Sequence, residues 1–226
     1  MRNVLIIGAS SGIGAALAGL VQPQFQVYSL SRSAAVPNVF KHFSCDVVSD
    51  ALPTIDEALH GLVYCPGSIN LKPFARIKPE DFIADFELNL IGAVRCLQHY
   101  QRNLQATEGA SVVLLSSVAV QTGFPYHATV SASKGAIEGL TRALAAEWAP
   151  KIRVNAIAPS LTDTPLAESL LREDSKKQAA AARHPLKRLG EAEDIAQMAF
   201  FLLSENAAWI TGQIMHVDGG ISAIKT

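Results

Sequence analysis

Residues 4–14 of this chain are Val4-Leu5-Ile6-Ile7-Gly8-Ala9-Ser10-Ser11-Gly12-Ile13-Gly14, and they decide its fold. The first four are apolar, which is typical of a strand that is buried on both faces of a parallel sheet. A glycine-rich turn follows, and apolar residues then recur with a helical period over 13–21. Strand, turn and helix in this order predict a phosphate site, because the first N–H groups of a helix are free to bind an anion.

The glycines of this turn have separate roles at a dinucleotide site. Gly8 permits a sharp turn, Gly12 lets the backbone approach the pyrophosphate, and Gly14 lets the helix pack closely on the strand. The turn therefore predicts dinucleotide contacts from Gly8, Ser10, Ser11, Gly12, Ile13 and Gly14. Without supporting features elsewhere, the pattern would also fit a plain glycine-rich connection between a strand and a helix.

Short apolar runs alternate with stretches of helical period along the rest of the chain. The predicted strands are 4–7, 26–30, 39–44, 62–65, 111–115, 152–157 and 214–217. The predicted helices are 13–21, one long helix over 80–103, 128–148 and 192–203. This alternation predicts an α/β, Rossmann-type fold: a doubly wound parallel sheet of about seven strands with helices on both faces, in a single domain over 1–226. The stretch 163–190, rich in Ala and charge, is the one irregular segment.

Length, composition and charge exclude several classes of protein. The chain has 226 residues, of which 49% are hydrophobic and 17% charged, so it can bury one sizeable core and is not disordered. Its net charge of -1 gives no basis for binding nucleic acid or an anionic membrane surface. No apolar run approaches the ~18 residues that a membrane span needs. We therefore expect a small-molecule ligand rather than a nucleic acid or a membrane.

The cysteines indicate the compartment. Cys45, Cys65 and Cys96 are widely spaced and odd in number, which predicts neither a disulfide framework nor a metal site. We interpret them as small buried hydrophobes in a reducing environment. The apolar run at 4–7 is shorter than the ~7–15 residues of the apolar h-region of a signal peptide. A cytoplasmic protein is therefore expected.

The end of the second predicted strand distinguishes NAD from NADP. An NAD site usually has an acidic residue there, whereas an NADP site has an arginine for the 2′-phosphate. This chain has no Asp or Glu before Asp46, and the strand ends Ser31-Arg32-Ser33. The planar guanidinium of Arg32 and the hydroxyl of Ser33 suit a phosphate. We predict NADP(H) as the cofactor; the alternative is that Arg32 is a solvated surface residue.

Further motifs resemble those of the short-chain dehydrogenase/reductase family over essentially the whole chain. The glycine-rich turn has that family's spacing, Gly-x-x-x-Gly-x-Gly. The other matching motifs are Cys45-Asp46-Val47, Asn89 in Leu88-Asn89-Leu90-Ile91-Gly92, Ser116-Ser117, Ala132-Ser133-Lys134-Gly135, Ile152-Arg153-Val154-Asn155-Ala156-Ile157-Ala158-Pro159, Ile210-Thr211-Gly212-Gln213 and Val217-Asp218-Gly219-Gly220. So many motifs in one order make the resemblance specific.

The resemblance implies roles for individual residues. Ser117 would hold the substrate carbonyl, Lys134 would bind the nicotinamide ribose, and Asn89 would anchor a water in a proton relay. Further cofactor contacts would come from Asp46, Val47, Cys65, Pro66, Gly67, Pro159, Leu161, Thr162 and Thr164. The segment 163–190 would then form a movable lid over the substrate.

The chain also departs from the family pattern. Tyr64-Cys65-Pro66-Gly67 stands where Asn-Asn-Ala-Gly is usual, and Pro159-Ser160 stands where Pro-Gly is usual. The segment between Asp46 and Leu62 is short, so we expect its helix to be reduced to a turn or two. The family's catalytic tyrosine lies four residues before its lysine and thirteen after its serine, and both counts end on Val130.

Val130 would face the nicotinamide site with no proton to give, since it shares a helix face with Lys134, four residues later. Tyr126 and His127, eight and seven residues before Lys134, are the candidate substitutes. Enoyl reductases of this superfamily carry their tyrosine seven residues before the lysine, so reduction of a conjugated C=C bond is an alternative. The pair could instead pack over Pro125 and cap the helix.

Two functions remain open from the sequence. One is an NADP(H)-dependent oxidoreductase acting on a carbonyl, a hydroxyl or an activated alkene, because loss of a positioned acid or base costs ~10²–10⁴ in rate without abolishing hydride transfer. The other is a non-catalytic NADP(H)-binding sensor or structural subunit, which Val130 also fits. By resemblance, we expect a homodimer or homotetramer formed through the helices at 80–103 and 128–148.

Overall fold

Seven parallel strands form the main sheet of the protein, whose computed structural model describes residues 1–33, 37 and 39–225. The strands are β1 (Arg2–Ile7), β2 (Phe25–Ser31), β3 (Lys41–Ser44), β4 (Gly61–Tyr64), β5 (Ala110–Leu115), β6 (Ile152–Pro159), the separate pair β7 (Thr162–Asp163) and β8 (Gly190–Glu191), and β9 (Ile214–Val217). The order in the main sheet is β3-β2-β1-β4-β5-β6-β9. The predicted Rossmann-type sheet is thereby confirmed, although β3 begins at Lys41 and not at residue 39.

Helices cover both faces of this sheet. They are α1 (Gly12–Val21), α2 (Pro79–Phe86), α3 (Gly92–Gln105), α4 (Ala128–Trp148), α5 (Glu168–Leu171), α6 (Asp174–Arg183) and α7 (Ala192–Leu203). Alternate side chains of β1 enter opposite cores: Leu5 and Ile7 pack with α3 and α4, whereas Val4 and Ile6 pack with α1 and α7. This two-sided burial explains why the strands are short apolar runs. No helix in the described part of the chain is long and apolar enough to cross a membrane.

The strand order reverses between β1 and β4, which are neighbours in the sheet. The chain winds from β1 through β2 to β3 on one side and from β4 outward on the other. In such sheets the ligand crevice lies outside the carboxyl ends of the strands at this reversal. The glycine-rich turn after β1 and the segment that begins at Cys65 after β4 therefore meet at one edge.

The long helix predicted over 80–103 is interrupted. A π-helical turn, Glu87–Ile91, separates α2 from α3, and the N–H of Gly92 bonds the carbonyl of Glu87, five residues earlier. The side-chain amide of Asn89 donates to the carbonyl of Asp85 at 2.8 Å and so competes for an acceptor that the helix would otherwise use. Periodicity alone gave no sign of this competition. Such turns are frequent at functional sites.

The helix expected between Asp46 and Leu62 does not form, not even as a reduced one. After a turn at 47–49, the described backbone carries no helical residue before β4. Side chains of α3 bind this backbone instead: Arg95 bonds the carbonyl of Asp50 at 2.7 Å, and Tyr100 bonds that of Pro53 at 2.7 Å. These contacts supply partners that a helix would have supplied internally.

The segment 163–190 is more regular than its sequence suggested. It contains a 3₁₀ turn, Pro165–Ala167, and the helices α5 and α6, and it is bounded by the paired strands β7 and β8. Buried apolar residues hold it together: Ala167, Leu171, Ala180 and Leu189. The segment is therefore a small packed unit over the carboxyl edge of the sheet. Its predicted movement as a lid stays a prediction.

Candidate functional site

The turn after β1 has the backbone that its glycines predict. Gly8 has a φ of +81° and Gly12 a φ of +51°, conformations that glycine adopts without a steric penalty. A Cβ on Gly14 would lie 2.2 Å from the carbonyl oxygen of Gly8, so α1 can pack this closely on the turn only because that residue is glycine. Ser11 precedes α1 and its side chain makes no capping bond. The first N–H groups of α1 are thus available to a ligand.

A cavity of about 290 Å³, here called the turn cavity, opens onto this turn. The sequence-predicted cofactor residues that line it are Gly8, Ser10, Ser11, Gly12, Ile13, Gly14, Arg32, Ser33, Asp46, Val47, Cys65, Pro66, Gly67 and Thr164. They come from the carboxyl ends of four strands and from the start of the segment 163–190. The structure therefore brings together residues that are distant in the chain.

Arg32 lies at the end of this cavity that is formed by β2. Its side chain is 76% exposed, and its Nη1 is 4.0 Å from Oδ2 of Asp46. That separation is too long for a hydrogen bond, and exposed pairs of this kind contribute little. The other carboxylate oxygen of Asp46 accepts the N–H of Val48 at 2.9 Å. The guanidinium of Arg32 can therefore turn its donors toward an anion in the cavity.

A second cavity of about 700 Å³, the lid cavity, lies beneath the segment 163–190. The sequence-predicted residues that line it are Ile13, Cys65, Gly67, Ser117, Tyr126, His127, Lys134, Pro159, Leu161, Thr162 and Thr164. Ile13, Cys65, Gly67 and Thr164 also line the turn cavity, so the two cavities adjoin. An extended ligand could occupy both.

Lys134 crosses from α4 to the sheet. Its side chain is buried, and Nζ donates to the carbonyl of Leu115 at 2.9 Å. Burial lowers the pKa of Lys134 from 10.5 to about 8, against the opposing effects of Cys65 and Asp85. Burial also raises the pKa of the Cys65 thiol to about 12, so this cysteine is a neutral neighbour and not a nucleophile.

Asn89 belongs to a buried polar cluster. Its amide nitrogen donates to Oγ of Ser68 at 3.0 Å, and Ser68 donates to Oδ1 of Asp85 at 2.7 Å. Ser68 and Asp85 were not predicted from the sequence. The spacing of four residues between Asp85 and Asn89 on one predicted helix was the available signal.

Gly67 forms an open floor beside these groups. A Cβ placed on it would lie 3.4 Å from Nζ of Lys134 and 3.5 Å from Oδ1 of Asn89. That amide oxygen is buried and accepts no hydrogen bond from the described residues. An ammonium donor and an amide acceptor therefore face a space that only glycine leaves open. Such a floor fits the hydroxyls of a ribose, so the residues present are compatible with a dinucleotide.

The structure distinguishes the two adjacent serines at the end of β5. Ser116 is buried and donates to Oε1 of Glu138 at 2.8 Å, so its hydroxyl is already engaged. Ser117 lines the lid cavity, and its Oγ accepts the N–H of Ala119 at 3.2 Å. The hydroxyl proton of Ser117 is therefore free for a ligand. Val130 lines the same cavity and is buried, with only an aliphatic surface to offer.

Tyr126 and His127 both reach the lid cavity. Tyr126 is exposed and has a φ of +71°, an uncommon conformation for a residue other than glycine. Nδ1 of His127 lies 2.7 Å from the carbonyl oxygen of Pro125, and the ring of Phe124 lies 5.5 Å away. His127 precedes α4 but its side chain does not cap the helix. The packing over Pro125 is present, whereas the expected capping bond is absent.

Comparison with known proteins agrees with this geometry. A family model described as Enoyl-(Acyl carrier protein) reductase matches residues 31–222. A tropinone reductase homolog of Arabidopsis thaliana is 38% identical over 165 residues, which is 73% of this chain. The chain spans between 59% and 64% of the length of four such homologs. L-xylulose reductase of Bos taurus is 31% identical, with 98% of this chain and 97% of that protein covered.

Solved structures share the whole architecture. The structure described as ElxO with NADP bound superposes with a TM-score of 0.86 at 27% identity, covering 99% of this chain and 99% of that chain. The strand order, the glycine-rich turn and the relatives matched over their full length therefore all indicate the same family. The chain belongs to the short-chain dehydrogenase/reductase family.

Proposed function

We propose that this chain is an NADP(H)-dependent oxidoreductase that transfers a hydride to or from a small carbonyl or hydroxyl substrate. One observation carries the proposal: the turn cavity and the lid cavity adjoin through Ile13, Cys65, Gly67 and Thr164. A dinucleotide spanning both would have its phosphates at the turn and its nicotinamide in the lid cavity. When bound, it would supply the hydride.

Each part of the chain would hold one part of the cofactor. The N–H groups of residues 12–14 would bind the pyrophosphate at the start of α1. Lys134 would bind the nicotinamide ribose beside Gly67, Asn89 would anchor a water in a proton relay, and Asp46-Val47 would contact the adenine. The backbone of 159–164 would cover the nicotinamide. Ser117 would then orient the substrate carbonyl from the opposite wall of the lid cavity.

Arg32 and Ser33 favour NADP over NAD in this proposal. A guanidinium binds a phosphate with parallel hydrogen bonds, and the 2′-phosphate is the group that distinguishes the two dinucleotides. Arg32 is exposed at the β2 end of the turn cavity. The similar ElxO structure holds NADP.

The same residues would serve a non-catalytic function if no side chain supplies a proton to the substrate. Val130 occupies the position of the family's proton donor, so a non-catalytic NADP(H) sensor or structural subunit is the competing candidate. His127 at seven residues before Lys134 favours enoyl reduction as a third, since its Nε2 is not engaged by Pro125. We also propose a cytoplasmic protein that forms a homodimer or homotetramer; light scattering on the purified chain would give the subunit number.

One binding experiment and one kinetic experiment test the proposal. NADPH and NADH are titrated against the chain by fluorescence, and NADPH is expected to bind more tightly. The NADPH-loaded chain is then mixed with tropinone, L-xylulose, diacetyl and a conjugated enone, and the loss of NADPH absorbance is followed. Carbonyl turnover supports the reductase, and enone turnover alone supports the enoyl reductase. Tight NADPH binding without turnover favours the sensor, and failure to bind either dinucleotide refutes the proposal.

A further inference from the structure

Ser160 and His184 form a hydrogen-bonded pair at the edge of the lid cavity. Oγ of Ser160 lies 2.8 Å from Nε2 of His184, and both residues line the cavity. Ser160 is half-buried and directly follows β6, whereas His184 is buried and directly follows α6. The pair thus places a hydroxyl and an imidazole together in the wall of the cavity.

The second ring nitrogen fixes the tautomer of His184. Nδ1 lies 2.9 Å from the carbonyl oxygen of Ala180. A carbonyl oxygen can only accept a hydrogen bond, so Nδ1 carries a proton whether or not the ring is charged. Nε2 is therefore the nitrogen that gains and loses a proton, and its partner is the hydroxyl of Ser160. This is the arrangement of a hydroxyl, a base and a group that orients the base.

We propose that Ser160 is the proton donor that replaces the missing tyrosine, with His184 as the positioning residue that resupplies its proton. This inference rests on the proposed oxidoreductase function. Val130 cannot donate a proton, and Ser160 lines the same cavity as Val130, Ser117 and Lys134. Ser160 stands where the family pattern has glycine, so its hydroxyl is an addition to the cavity that Val130 also lines.

The proton balance of the step is simple. As the carbonyl carbon accepts the hydride from NADPH, the hydroxyl of Ser160 gives its proton to the carbonyl oxygen. Protonated Nε2 of His184 gives its proton to Oγ of Ser160, which restores the hydroxyl. The products are an alcohol, NADP⁺ and neutral His184, and a proton taken up from the solvent then returns to Nε2, so that one proton is consumed in each turnover. Every group returns to its starting state.

Several charged residues lie around His184. Arg183 precedes it, and the N–H of Lys187 bonds its carbonyl at 2.9 Å. Asp218 lies in the turn whose Gly219 faces the ring, since a Cβ on that glycine would be 3.5 Å from Cδ2 of His184. The carboxylate of Asp218 accepts bonds from Gly220 and Ser222 and so is engaged within its own turn.

The competing interpretation is that the pair is only a tether between the lid segment and the sheet. The chain offers a matched control for it. Ser29 on β2 bonds Nδ1 of His42 on β3 at the same distance, 2.8 Å, outside the residues that line either cavity. Ser29→Ala breaks a bond of equal length and type without touching the lid cavity. It reports what the loss of such a bond does to stability alone.

The test compares Ser160→Ala, Ser160→Thr, His184→Gln and Ser29→Ala with NADPH and diacetyl. We expect Ser160→Ala to lower the rate of diacetyl reduction by about 10²- to 10⁴-fold while the Kd for NADPH is unchanged. Ser160→Thr retains a hydroxyl and is expected to retain most of the rate. His184→Gln cannot pass a proton to Ser160, so it should also slow diacetyl reduction while the Kd for NADPH is unchanged. Ser29→Ala should behave as wild type.

A readout without cofactor accompanies the kinetics. Nitrogen NMR of the chain alone is expected to show that Nδ1 of His184 carries a proton, and Ser160→Ala should shift the Nε2 signal. The proposal is overturned if Ser160→Ala reduces diacetyl as fast as Ser29→Ala, or if His127→Ala alone abolishes reduction. It is equally overturned if wild type binds NADPH and reduces none of tropinone, L-xylulose and diacetyl. Failure of wild type to bind NADPH would instead refute the proposed function.

Discussion

Lys134 Nζ donates a 2.9 Å hydrogen bond to the carbonyl oxygen of Leu115, which joins the second turn of α4 to the carboxyl end of β5. The bond places a cation under the space beside Gly67 and, at the same time, removes that cation from water. Because burial disfavours the charged form, the ammonium is held at a cost to stability. A residue kept at such a cost is a candidate for function rather than for stability.

This cost predicts a pH dependence of stability. The folded-state pKa of Lys134 is about 8, below its ordinary 10.5. The unfolded chain therefore binds more protons between these values, and stability rises with pH across that window. Relative to Lys134→Met, wild type should become more stable as pH rises from about 8 to about 10.5. Chemical denaturation at several pH values measures the difference, and parallel curves for the two proteins would contradict it.

Introducing the family's tyrosine at position 130 should supply the proton donor that the family uses. Val130→Tyr places a phenol four residues before Lys134, on the face that lines the lid cavity. We expect diacetyl reduction to rise, and to rise by about 10²-fold or more when Ser160→Ala is present in the same chain. Val130→Phe is the control, because it adds the ring without the hydroxyl. Equal rates for the two variants would show that the hydroxyl is not what the site lacks.

Two glycines of α1, Gly14 and Gly19, allow the effect of a steric clash to be measured apart from the effect of alanine on helix stability. Gly14→Ala should destabilise the fold by about 1–3 kcal/mol and weaken NADPH binding, since its Cβ would meet the carbonyl oxygen of Gly8 at 2.2 Å. Gly19→Ala, on the same helix, meets no atom within 4 Å. It should stabilise the fold by about 0.5–1 kcal/mol. Thermal denaturation of both variants measures these changes. A Gly14→Ala variant as stable as wild type would refute the close packing of α1 on the turn.

Arg32 should set the preference between the two dinucleotides. Arg32→Ala is expected to weaken NADPH binding by about 10- to 100-fold and to leave NADH binding unchanged, because only NADPH carries the 2′-phosphate. Arg142→Ala is the matched control: Arg142 is also exposed and also lies 4.0 Å from a carboxylate, that of Glu138. Equal losses for both dinucleotides in Arg32→Ala would show that the guanidinium does not recognise the 2′-phosphate.

The local pattern of apolar residues and glycines was sufficient to predict the strands and helices that form the layers of the fold. The apolar residues 4–7 and the glycines after them are interpretable without any partner, because strand burial and turn geometry act over a few residues. The exact ends of the elements and the departures from regular helix were harder to predict from the sequence. The π-helical turn around Asn89 and the non-helical course of 51–60 are both accompanied by side chains that bond a distant or competing backbone carbonyl. No periodicity encodes such a bond.

The amino-acid sequence by itself determined the family resemblance and the parallel sheet. It also determined that valine, at position 130, stands where the family has its tyrosine. These conclusions depend on residue type and spacing alone. Only the tertiary structure decided which polar groups meet. Ser160 and His184 are separated by 24 positions and belong to different elements, yet their polar atoms are 2.8 Å apart. The packing of 163–190 over the sheet edge creates that proximity, and packing is a property of the whole chain.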